Sequence, residues 1–274
     1  MTGEQKEYFY DLLNKAECLY TGKVLGDFSI QHFVSDVEPG TVVKEQPLVQ
    51  MPPAVPPQII RTAPPASVPQ PDNTQDIQQQ LASIAQKIAA CQRCQLCANR
   101  TNTVPGVGVP RPLVMVIGEA PGHDEDVRGE PFVGAAGQLL DKMLASIQLS
   151  RHDNCFIANI VKCRPHGNRD PLPEEAAACA SFLQAQIHIL QPRSILTVGR
   201  IAVQNLLNTS TGINRLRGQF YEYNGIPLLP TYHPSALLRN EDLKRPAWED
   251  LKLFRTKLLQ LDPNYQQKYL NGGN

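Results

Sequence analysis

The chain predicts an α/β protein: a single-domain, three-layer α/β/α body with a central, mostly parallel four-stranded sheet, plus a largely disordered N-terminal extension. Two patterns carry that expectation. Short apolar runs alternate with helical stretches after residue 80, and prolines crowd the segment before it. Alternating strands and helices, with strands apolar throughout, imply a parallel sheet covered on both faces.

The elements follow in chain order. Residues 1–43 form an extension whose stretch 5–20 has helical periodicity, with Phe9, Leu12, Leu13, Ala16 and Leu19 near one face. Such a helix suits docking on a protein partner. Residues 44–80 read as a Pro/Gln-rich disordered linker, with nine of the 24 prolines between Pro47 and Pro71. Proline removes backbone donors and fixes φ, so this stretch has neither helical nor strand period. Residues 81–274 are the body, of ordinary size for one domain. Strands are expected at 113–117, 155–161, 194–198 and 226–232. Helices are expected at 135–149, 173–190, 200–207 and 245–261. Pro173 opens the second of these, and Glu174 and Glu175 sit in its first turn, where the helix dipole favours acids.

Composition excludes some classes. No run of eighteen apolar residues occurs, so no membrane span is expected. The first ten residues are polar and acidic, which argues against a secretory leader and for the cytoplasm. The formal net charge is zero, which at first speaks against a nucleic-acid partner. The sum hides an asymmetry. Residues 1–80 carry five basic and ten acidic side chains, and residues 81–274 carry 21 basic and 16 acidic. The mildly basic body permits phosphate binding without demonstrating it.

In parallel sheets the site lies at the carboxyl ends of the strands. Those ends are Gly118-Glu119, Asn159 to Cys163, Gly199 and Tyr232-His233, and three of the four carry polar, reactive residues. Seven cysteines, an odd number, argue against a disulfide framework. Cys91 and Cys94 are spaced to share a metal, and Cys163 and Cys179 are available as two more ligands. Four thiolates suit tetrahedral zinc or a [4Fe–4S] cluster, and spacing alone does not choose. Cys155 reads as a core residue, and Cys97 as a substitute for Cys94 or an ordinary thiol.

The stretch 118–140 is dense: a carboxylate leaves a strand, the chain turns at Pro121-Gly122, crosses an acidic loop and presents Phe132 before a helix. It has no Walker or dinucleotide glycine pattern. Together with 159–165, 168–171 and 232–239, it resembles the family 4 uracil-DNA glycosylases, which carry an iron–sulfur cluster. The resemblance covers about residues 81–260. It implies cluster ligation by Cys91, Cys94, Cys163 and Cys179, with Cys97 outside the ligand set. It implies a catalytic carboxylate at Glu119 and a catalytic histidine at His233. Uracil would meet the Ala120 main chain, the Phe132 ring and the Asn159 amide, with Glu125 as the loop acid.

The implied reaction explains these residue types. Uracil in DNA must be flipped out of the stack before its N-glycosidic bond is hydrolysed. An aromatic face offsets part of that cost. One amide supplies a donor for O4 and an acceptor for N3–H, which cytosine cannot match. Bond breaking leaves positive charge on the sugar and negative charge on uracil O2, so an acid and a neutral donor are both wanted. Pro234 and Ser235 suit close approach to a phosphate, and Leu237 or Leu238 suits filling the gap left by the flipped base. Lys162, Arg164, Arg169, Arg215, Arg217 and Arg239 are further phosphate candidates. No lysine stands out as an imine-forming nucleophile, so simple hydrolysis without strand cleavage is expected. A non-catalytic iron–sulfur protein that binds DNA on the same scaffold is the alternative.

Overall fold

The computed structural model describes residues 74–270. The N-terminal helix and most of the linker expected from the sequence lie outside these residues. Helix α1 (Thr74–Ala89) begins inside the stretch read as linker. The sequence explains the difference: Ile77, Ile84 and Ile88 recur on one helical face and are buried, and Asp76 sits in the first turn. The prolines end at Pro71, so nothing prevents a helix from starting there.

The sheet has six strands, in the order β1-β3-β2-β4-β6-β5. Its centre is the four-stranded parallel unit expected from the apolar runs: β2 (Val114–Gly118), β3 (Cys155–Asn159), β4 (Ser194–Val198) and β6 (Ile226–Thr231). Two antiparallel edge strands, β1 (Val107–Gly108) and β5 (Tyr221–Tyr223), extend it. Both were missed because two or three residues carry no readable period. Asn224-Gly225 joins β5 to β6 with both residues at positive φ, as a two-residue hairpin requires.

Every residue of β2, β3 and β4 is buried, and successive side chains enter opposite cores. Val114, Val116, Ile157, Leu196 and Leu229 face one way. There they meet Leu140 and Leu144 of α3 (Ala135–Ala145) and Leu251, Phe254 and Leu258 of α8 (Lys244–Leu261). Met115, Ile117, Phe156, Ile195 and Leu228 face the other way. They meet Leu183, Ile187 and Leu190 of α4 (Pro173–Leu190) and Ala202 and Val203 of α5 (Arg200–Leu207). This is the three-layer α/β/α arrangement. Short helices α2 (His123–Arg128), α6 (Ile213–Leu216) and α7 (Pro234–Arg239), with a final α9 (Tyr265–Leu270), complete the described residues. No helix among them is long and apolar enough to cross a membrane.

Candidate active site

The carboxyl ends of the four parallel strands open on one cavity of about 580 Å³. Glu119 follows β2, Asn159 ends β3, Gly199 follows β4 and His233 follows β6, and all four line it. Asn159 pairs in register with Gly118 and is only 1% exposed. Its Oδ1 is buried without a hydrogen-bond partner. A Cβ on Gly118 would stand 2.4 Å from that oxygen and 2.5 Å from the Phe132 ring, so the missing side chain lets amide and ring share one spot. The Phe132 and His233 rings lie 5.6 Å apart, tilted by 33°. Ala120, Glu125 and Ser235 line the same cavity.

Electrostatics separates the two candidate catalytic groups. Burial raises the Glu119 carboxyl to about 7, and the neighbouring Asp170 adds to the rise while Arg200 opposes it. Arg200 Nη2 in turn pairs with Asp170 Oδ2 at 2.5 Å. Burial lowers His233 to about 4, with Arg239 acting in the same direction. The ring is therefore neutral at neutral pH. Its Nδ1 accepts from the Ser235 backbone N–H at 3.1 Å, which assigns the ring proton to Nε2. His233 is thus an uncharged N–H donor held at the start of α7.

A second site lies beyond β3. Cys91, Cys94, Cys97, Cys163 and Cys179 line one small pocket, together with Arg93, Arg100 and Lys162. Arg100 Nη1 donates to Cys163 Sγ at 3.2 Å and Arg93 Nε reaches Cys91 Sγ at 3.5 Å. Burial raises the Cys94, Cys163 and Cys179 thiols. At Cys91 the Arg93 hydrogen bond and charge outweigh burial and lower the thiol. Among the described residues no three His, Cys, Asp or Glu stand close enough to hold a single metal ion. Cys155 is a buried core residue of β3, as expected.

A family model described as the uracil DNA glycosylase superfamily matches residues 105–252. The chain belongs to this superfamily. Its relatives include a type-4 uracil-DNA glycosylase of Archaeoglobus fulgidus, 43% identical over 180 residues, which span 63% of this chain and 90% of that protein. One from Sulfurisphaera tokodaii is 40% identical over 201 residues, spanning 70% and 91%. One from Thermotoga maritima is 41% identical over 173 residues, spanning 62% and 90%.

On this superfamily fold, not every residue singled out from the sequence reaches the cavity. Leu237 is 2% exposed and belongs to the core, whereas Leu238, its neighbour, is 50% exposed. A six-residue helix is too short for its faces to be read from sequence, and the choice of Leu237 is corrected. Pro234 is buried at the first turn of α7 and does not line the cavity. Glu125 lines it, but its oxygens accept from the backbone N–H groups of Gly122, Val133 and Gly134 at 3.0, 2.8 and 3.0 Å. The loop acid therefore orders the chain on either side of Phe132. Lys162 is 1% exposed and donates to Gln186 Oε1 at 2.8 Å, so it is no phosphate contact. Arg217 is tied to Asp250 by two hydrogen bonds, at 2.9 and 2.7 Å. Arg169 and Arg239 do line the glycosylase-fold cavity. Two residues were missed, Asp170 and Arg200. Asp170 stood in plain view within the 168–171 stretch, but only the fold brings it to Glu119.

Proposed function

We propose that the protein is a uracil-DNA glycosylase, which hydrolyses the N-glycosidic bond of a flipped-out deoxyuridine and releases free uracil, leaving an abasic site. The observation that carries this reading is the partnerless Oδ1 of Asn159, buried beside the Phe132 ring at a strand end. A buried carbonyl oxygen without a donor is costly, and the N3–H of uracil satisfies it. The Asn159 NH₂ then donates to O4. The Phe132 ring supplies the stacking face. The relatives reported above bear the same activity in their names.

The chemistry divides between two groups. As uracil leaves, charge accumulates on O2, and the neutral His233 Nε2–H donates to it without having to lose a proton. The Ala120 amide is a second donor. Glu119, ionised in part near neutral pH, stabilises the developing sugar cation and takes a proton from the attacking water. Water oxygen bonds to C1′ and the electron pair of the C1′–N1 bond leaves with uracil. No lysine among the described residues lines the cavity, which supports hydrolysis without strand cleavage.

Cys91, Cys94, Cys163 and Cys179 would hold a [4Fe–4S] cluster. The donor set supports it: among the described residues that line the pocket the metal-binding side chains are thiols, and two arginines donate to two of the sulfurs. Lys162, buried and donating to the neutral Gln186 beside Cys179, adds a cation suited to a negatively charged thiolate cluster. The cluster supplies a covalent tie between chain segments. Cys97 is a fifth thiol in the pocket and lies outside the proposed ligand set.

The test is base release from uracil-containing DNA, single- and double-stranded. Free uracil and alkali-labile sites are expected. Absence of release from both substrates by cluster-loaded protein would overturn the reading in favour of a non-catalytic DNA-binding protein.

A further inference from the structure

We propose that Arg151 is a positioning residue for the reaction: it sets the stacking ring of Phe132 by holding that residue's backbone from the side opposite Glu125. The proposal rests on the reading of Phe132 as the face that receives uracil. Phe132 has φ +54°, a left-handed conformation that a side chain as large as phenylalanine rarely adopts. Something outside the residue must impose it. Four backbone groups on the three successive peptide units from Pro131 to Gly134 are each taken by a charged side chain. Arg151 Nη1 donates to the carbonyl of Pro131 at 2.9 Å and Nη2 to the carbonyl of Phe132 at 2.8 Å. The next two amides, of Val133 and Gly134, both donate to Glu125 Oε1. The cation holds the two carbonyls and the anion holds the two amides. The peptide planes on both sides of Phe132 are thereby fixed.

Two further contacts keep the clamp in place. Asp141 Oδ1 accepts from Arg151 Nε at 3.0 Å and from Nη2 at 2.8 Å, and the Arg151 side chain is only 10% exposed. Gly137, in the first turns of α3, lies so close that a Cβ there would come within 1.9 Å of the Phe132 carbonyl oxygen. That carbonyl is thus confined to the direction of the guanidinium. Arg151 does not line the cavity, so it acts on the base only through Phe132. A guanidinium is required: a planar fork can serve two carbonyls and a carboxylate together, whereas an ammonium cannot match that geometry.

The experiment is a double-substitution cycle on the cluster-loaded full chain, read by single-turnover uracil release and by inhibition with free uracil. Arg151→Gln is expected to lower kcat/KM by ~10-fold, within the range that loss of one base–aromatic stack produces, and to weaken uracil inhibition by a similar factor. Arg151→Lys recovers only part of this. In a Phe132→Ala background, Arg151→Gln is expected to add no further loss. Asp141→Asn, which frees the guanidinium without touching the loop, should give a smaller loss with the same non-additivity. It replaces Arg151→Gln in the cycle if that variant does not fold. An undiminished effect in the Phe132→Ala background, or wild-type kinetics in the folded Arg151 and Asp141 variants, overturns the proposal. If Phe132→Ala alone leaves release unchanged, the stacking reading fails instead, and the two failures are distinguished.

Discussion

The strand-end cavity and the cysteine pocket both depend on the end of β3, with Asn159 in one and Cys163 in the other. They are built on opposite terms. The cavity is large and lined by carboxylates, amides and guanidiniums. It holds Glu119 raised to about 7 and an acceptor on Asn159 left without a donor, both of which cost stability. The pocket is small and gathers thiols from three separate segments, with buried hydrophobic Ile88 and the Phe182 ring beside them. One region leaves polar groups unsatisfied at a cost in stability, and the other gathers thiols from distant parts of the chain. Substitutions in the two should therefore fail in different ways.

The sharpest contrast is in the rate. Glu119→Gln should lower the single-turnover rate by roughly 10²–10⁴-fold, the range for loss of a general base. The unfolding midpoint should stay level or rise, because a buried group that resists ionisation is replaced by a neutral one. A rate within a factor of a few of wild type would remove Glu119 from the chemistry. In the cysteine pocket the order is reversed. Cys163→Ser should abolish the visible absorption of the proposed cluster and cost roughly 4 kcal/mol or more of stability, with activity lost along with the fold. Cys97→Ser should retain both absorption and stability. Equal damage from the two cysteine variants would break the four-ligand assignment.

The smallest effect concerns pH. The proposed role of Glu119 requires its carboxylate form, so the rate should fall as pH drops through about 7. His233 remains neutral down to about 4 and adds no limb between these values. Asp170→Asn removes the like charge that raises Glu119, and the acid limb should move to lower pH. A pH–rate profile unchanged by Asp170→Asn would show that burial alone sets the Glu119 value.

Much of this was legible because strand ends are legible. Glu119 and His233 each follow an apolar run read as a buried strand, Asn159 lies in another, and a parallel sheet gathers such ends. Phe132 was legible from its motif, but the cause of its backbone conformation was not, since Arg151 is distant in sequence and carries no local signal. Lys162 was misread because charge in a sequence suggests solvent, and only the fold shows Gln186 waiting in the interior. Leu237 and Leu238 differ by one position, and the assignment of the helix face decides between core and surface. Asp170 matters through its distance to Glu119, a relation between loops that no spacing expresses.

The span from Asn159 to Cys163 has one more consequence. Ile160 N–H donates to Gly118 O at 3.0 Å, Val161 N–H to Glu119 O at 3.2 Å, and the Lys162 carbonyl accepts from Val104 N–H at 2.8 Å. Each step of this connector is already committed to a neighbour, so it has no slack. Between Asn159 and Cys163 a change of one residue in length would break these hydrogen bonds and shift the Asn159 amide against the Cys163 thiol.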